Sequence, residues 1–143
     1  MNKKGFTLVE LLAVIVILGI IIVVVAPSLL DTSKGARKKT YETKIANIET
    51  AAVLFGQDNY RKIINGANDG TDGYALESTE DVIFRTMTIS VKDLVPNYLS
   101  KDTGEDSEYF VQDPRDNSDF LDDYTITIRI NPNTRKVTAK FNG

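Results

Sequence analysis

Glu10 is the only charged side chain in the 25 residues from Phe6 to Leu30, and its position demands a chemical explanation more than any other in the chain. Insertion of a charge at the centre of a bilayer costs roughly 2.5–3.5 kcal/mol, so an acid inside an apolar stretch calls for a partner or a function. The residues just upstream are Lys3, Lys4, Gly5 and Phe6. If the chain is cut between Gly5 and Phe6, the new α-amine of Phe6 becomes a cation at the start of the same apolar run. Glu10 then follows four residues later, one helical turn away. The pair can close within one chain or between staggered neighbours. In an apolar bundle any register that leaves Glu10 unpaired is disfavoured. The chemistry on offer is that of a register device.

Other chemistry is scarce. The 143 residues contain no Cys and no His. A disulfide framework, a lipid-bearing cysteine, a thiolate nucleophile and a thiolate metal site are therefore excluded, as are the usual general base near neutral pH and the commonest metal ligand. Carboxylates remain, but no pair of acids stands apart from the rest, so no catalytic residue, metal ligand or cofactor is expected and the chain does not read as an enzyme. No basic stretch interleaved with aromatics argues for nucleic-acid binding.

The element that must position Glu10 is the apolar run itself. As a helix, residues 6–30 rise about 37 Å, enough to cross a hydrocarbon core of about 30 Å. A secretory signal peptide has a shorter apolar core, and cleavage after Ala26 would leave Pro27 at the new terminus. A plain single-pass anchor explains the length and leaves Glu10 unexplained. Processing at Gly5 explains both. Pro27 removes a backbone donor and is expected to bend the helix, while Gly19 weakens it by about 1 kcal/mol relative to Ala. The stretch between them is a candidate for local unwinding.

The run Lys4-Gly5-Phe6-Thr7-Leu8-Val9-Glu10-Leu11-Leu12 resembles the prepilin signature of type IV pilins and pseudopilins. The resemblance implies that a membrane aspartyl peptidase cuts after Gly5 and methylates Phe6, and that Glu10, fifth in the mature chain, serves assembly. Gly19 and Pro27 fall where pilins often carry a glycine and a bending proline. The implied partners are the prepilin peptidase, an assembly ATPase with its membrane platform, and copies of this chain or related pilins in a helical filament. The implied location is the cytoplasmic membrane first, through a single pass, and an extracellular pilus afterwards. The implied role is a structural pilus subunit; a minor tip pilin serving as adhesin or DNA-binding module, or a pseudopilin of a secretion or competence machine, are the alternatives. Loss of residues 1–5 removes two lysines and takes the formal charge from −3 to −5. The cations flanking the span, Lys3 and Lys4 before it and Lys34, Arg37, Lys38 and Lys39 after it, by count alone keep the C-terminal side in the cytoplasm; the peptidase signature assigns the opposite orientation.

Beyond the span the expected fold is α+β, with a long N-terminal helix packed on a small antiparallel sheet. Tyr41, Ile45, Ile48, Ala52 and Phe55, joined by Ala51 and Leu54, recur at helical spacing and predict a core-facing stripe. The domain plan is a leader at 1–5, a filament-core helix at 6–30, and a globular part at 31–143 whose helix continues to about 65, with Asn65-Gly66 as its stop. NGANDGTDG, residues 65–73, reads as a solvated loop. Residues 83–91 read as a strand, 90–99 as a short capped helix, and 124–130 with 136–141 as a hairpin. Residues 102–123 hold nine acids against one base, Arg115, and are expected to form a solvated, extended loop, with a neighbouring subunit or Ca²⁺ as the other uses of such charge.

Overall fold

The computed structural model describes residues 7–104, 106–116 and 118–143, and their side chains except at 26–31. Helix α1 runs Leu8–Asp58 and helix α2 runs Tyr60–Asp69; the strands are β1 Tyr74–Ser78, β2 Ile83–Ser90, β3 Thr125–Ile130 and β4 Val137–Asn142. The chain divides into two compact units, Met1–Lys38 and Lys39–Gly143.

In the first unit every described side chain is exposed, including all the Val, Ile and Leu residues from Leu8 to Val25. By length and composition Leu8–Val25 is able to cross a membrane. A stripe of apolar side chains on one face would mark a helix resting on a core. Apolar character all round requires lipid or other helices on every side.

The second unit is an α+β layer. The four strands form one antiparallel sheet in the order β1-β2-β3-β4. Strand β3 shows the alternation that places one face inward: Ile126, Ile128 and Ile130 are fully buried, while Thr125, Thr127 and Arg129 face outward. On the outward face Arg129 stacks over Phe84 at 3.7 Å and pairs with Glu77 at 3.0 Å. The expected stripe on α1 packs in this core: Ile48, Ala51 and Ala52 are buried, and Tyr41, Ile45 and Phe55 pack against them. Leu54 does not join, being 48% exposed, because its angular position falls outside the face defined by Ile48 and Ala52. Helix and sheet approach closely at Gly56, where a β-carbon would lie 2.8 Å from both Ile128 Cγ2 and Val137 Cγ1. Glu49 Oε1 accepts a hydrogen bond from Phe141 N at 3.0 Å, tying β4 to α1.

Four local expectations need correction. The helical region passes residue 65 and ends at Asp69, with a single non-helical residue at Asn59. There the Asn59 side chain donates to the Phe55 carbonyl at 3.0 Å, sharing it with the Asn59 backbone N–H at 2.9 Å, a local side-chain bond of the kind that interrupts helices. Gly66 does not stop α2 but lies inside it, since a β-carbon there would meet the Tyr74 ring at 2.8 Å. The stop is Gly70, in the left-handed conformation at φ 67°. Half of the NGANDGTDG stretch is therefore helix. Second, β1 has no counterpart among the expected strands. Third, residues 102–123 are not an extended loop. Val111, Asp113, Leu121 and Asp122 are buried, and an isolated bridge joins Gln112 to Phe120. Acids that were expected to repel one another accept hydrogen bonds instead: Asp122 receives Phe110 N at 2.9 Å and Val111 N at 3.1 Å. The short helix expected from 90 to 99 is a 3₁₀ turn, Val91–Leu94, closed by a capping box between Ser90 and Asp93.

Candidate assembly site

Of the residues expected to govern assembly, Gly5 and Phe6 lie outside the described residues, as does the side chain of Pro27. The backbone of α1 is helical through both Gly19 and Pro27, and a β-carbon at Gly19 would meet nothing within 4 Å. Glu10 stands in the first turn of α1.

The geometry around Glu10 adds a second interaction to the expected ion pair. Thr7 N–H and Thr7 Oγ1–H both donate to Glu10 Oε2 at 2.9 Å. Glu10 N–H in turn lies 3.3 Å from Thr7 Oγ1, and Leu11 N–H donates to the Thr7 carbonyl at 3.2 Å. This is a reciprocal capping box. The hydroxyl at the N-cap and the acid three residues on each satisfy a backbone N–H that the helix start leaves open. Thr7-Leu8-Val9-Glu10 before an apolar run is its sequence signature, legible without a structure. The carboxylate therefore has two duties available. Within one chain it closes the helix start through Oε2. Its other oxygen, and the charge itself, are in the open on a fully exposed helix turn, where an amine can reach them. No ion pair to Glu10 occurs among the described residues.

A second polar system holds the acidic segment on the globular unit. Lys44 pairs with Asp102 and also donates to the Gln112 carbonyl at 3.4 Å. Arg115 lies 3.6 Å above the Tyr41 ring. It closes on Asp113 through Nη2–Oδ2 at 2.6 Å and Nε at 3.1 Å. The Arg115 guanidinium holds the Asp113 carboxyl below the usual range, against the opposing effect of burial. Phe55 meets Tyr98 edge-on at 5.4 Å, and Tyr98 donates to Asp58 Oδ2 at 3.0 Å, which raises the phenol's pKa. In the NGANDGTDG stretch Asn68 Oδ1 accepts from Arg85 Nε at 3.2 Å, and no group of three or more acids suited to a metal occurs among the described residues.

Residues 1–26 match the model of the prokaryotic N-terminal methylation motif. Over 74 residues the chain is 30% identical to the ComG operon protein 3 homolog of Bacillus licheniformis, covering 52% of this chain and 76% of that protein. It belongs to the type IV pilin-like family. The type II secretion system core protein G of Pectobacterium carotovorum is 36% identical over 60 residues, covering 42% of this chain and 38% of that protein. Its counterpart in Escherichia coli is 34% identical over 59 residues, covering 41% of each. The pilin-like chain thus spans three-quarters of the Bacillus relative and about two-fifths of the secretion-system relatives. No solved structure matches it at comparable stringency. The α+β architecture, with an apolar N-terminal helix and an antiparallel sheet, is pilin-like.

Proposed function

We propose that the chain is a structural subunit of a surface filament, a type IV pilus, polymerised through the apolar part of α1. The observation that carries this reading is the complete exposure of Leu8–Val25 around a single acid placed in its first turn. Before assembly the apolar helix is covered by lipid. In the filament it is covered by the same helix of other copies, at about 25 cal/mol per Å² of apolar area removed from water. The peptidase cuts after Gly5 and methylates Phe6. Glu10 then meets the free amine of a staggered neighbour and selects the register. Gly19 and Pro27 mark the stretch that yields as subunits leave the bilayer. An assembly ATPase acting on a membrane platform drives extraction.

A second reading, a pseudopilin of a secretion or competence machine, is favoured by the likeness to the ComG operon protein 3 homolog and to the type II secretion system core proteins G. The two readings differ in product. Shearing of wild-type cells, followed by immunoblotting and immunogold microscopy of the sheared fraction, tests them. Long filaments labelled along their length support the pilus. Label confined to the envelope, with no sheared polymer, supports the short pseudopilus.

A further inference from the structure

Two of the open clefts on the globular unit are of opposite character. The first, of about 530 Å³, lies between the α1–α2 junction and the β3–β4 turn; Gln57, Tyr60, Arg61, Pro132 and Arg135 line it. Arg61 and Arg135 are both exposed, and neither guanidinium takes part in an ion pair or side-chain hydrogen bond among the described residues. The second cleft, of about 270 Å³, is lined by Tyr109, Ser118, Asp119, Phe120 and Asp123. Its lining includes a stacked aromatic pair, Tyr109 on Phe120 with centroids 4.6 Å apart at 15°. Asp119 is exposed, and Asp123 is 86% exposed in a loose 3.5 Å pair with Lys92. An aromatic face beside carboxylates is the arrangement that receives a guanidinium, by stacking and charge-assisted hydrogen bonds together.

These two surfaces cannot meet within one chain. Asp123 precedes β3 and Pro132 follows it, so a six-residue strand of about 20 Å separates them. The same separation appears along α1. The acidic segment is clasped at Tyr41 and Lys44, whereas the basic cleft begins at Gln57, thirteen residues or about 20 Å further along the helix. The clefts therefore lie at opposite ends of the globular unit along the direction of α1.

The geometry points to a head-to-tail contact between copies of this chain, with Arg61 and Arg135 of one copy received by Asp119, Asp123 and the Tyr109–Phe120 stack of another. The contact rests on the filament reading, because parallel α1 helices displaced by about 20 Å along their axis bring the basic end of one globular unit level with the acidic end of the next. Two different patches that complement each other make a heterologous contact, which propagates without closing and suits an open helical polymer.

Charge exchange tests it in the full-length chain in cells that produce the filament. The double variants R61E/R135E and D119R/D123R are each expected to lower sheared filament by about tenfold or more, with N-terminal processing, cell content and melting temperature unchanged. The quadruple variant that swaps both charges is expected to recover most of the yield. Because the chain contains no cysteine, R135C/D119C should also give an oxidant-dependent ladder of oligomers that neither single variant gives. Wild-type filaments, with both double variants assembling normally or with no ladder, overturn the contact alone. Absence of the wild-type chain from any sheared polymer overturns the filament reading and the contact with it.

Discussion

Thr7 and Glu10 hold each other at the first turn of α1, both Thr7 donors meeting Glu10 Oε2 at 2.9 Å. The same carboxylate is the only charge in the apolar stretch and the expected partner of a processed N-terminus. Cap and charge are separable by mutation. Glu10→Gln keeps an amide oxygen that can accept from Thr7, since Gln serves at this position of a capping box, but removes the charge. Its expected phenotype is normal membrane insertion with filament yield reduced as far as in Glu10→Ala. Thr7→Val leaves the charge and removes the hydroxyl, and should assemble better than either. Membrane fractionation and sheared-filament immunoblots measure both. A Glu10→Gln variant assembling at wild-type yield would leave the cap, not the charge, as the reason for the acid.

Gly56 offers a test of how closely helix and sheet pack. A methyl group there collides with Ile128 and Val137, both at 2.8 Å from the added carbon. Gly56→Ala should cost about 1–3 kcal/mol through overpacking, despite the better helix propensity of Ala. Gly35→Ala, where a β-carbon meets nothing within 4 Å, is the matched control and should be neutral or slightly stabilising. Thermal unfolding of the two variants side by side makes the comparison.

The Asp113–Arg115 pair predicts an acid limit to stability. Arg115 lowers the folded-state pKa of Asp113, so its contribution is fully present above the ordinary Asp value of about 3.9 and is lost as pH falls through the lower folded value. Wild-type melting temperature should therefore fall steeply below about pH 4. In Asp113→Asn that part of the slope disappears, at the expense of lower stability near neutrality. Parallel slopes for the two proteins from pH 5 to pH 2 would remove the pair from the account.

Arg115 also carries the stacking contact that helps hold the acidic segment to α1, 3.6 Å over Tyr41. Lysine cannot reproduce the planar fork or the stacking. Arg115→Lys should loosen residues 109–122 without unfolding the sheet. The expected signal is faster amide exchange at Leu121, whose N–H donates to the Val111 carbonyl at 2.8 Å, with exchange in β3 unaltered. Unchanged protection at Leu121 would contradict the role given to the guanidinium.

What was legible in the sequence follows from how local each signal is. The α1 stripe was visible because Ile48 and Ala52 sit one helical turn apart and both reach the core. The hairpin was visible because β3 alternates strictly around a Pro-Asn turn. Strand β1 was not, since its five residues are at an edge, four of them exposed, and no apolar alternation is imposed on them. The acidic segment was misjudged because its order comes from long-range partners. Asp122 accepts amides eleven and twelve residues away, and Lys44 and Tyr41 supply cationic and aromatic contacts from another element. Charge density alone carries no information about such partners. At the assembly site the acid is legible from its isolation, and its capping role from Thr7-x-x-Glu10 before an apolar run.

The central claim is that this pilin-like chain enters a filament only after its N-terminus is remade beside Glu10. Intact-mass and N-terminal peptide spectrometry of the protein recovered from sheared filaments measures this directly. The account predicts a chain that starts at Phe6, lacks residues 1–5 and carries one added methyl group on its terminal amine. Filaments built from chains that still begin at Met1 would contradict it.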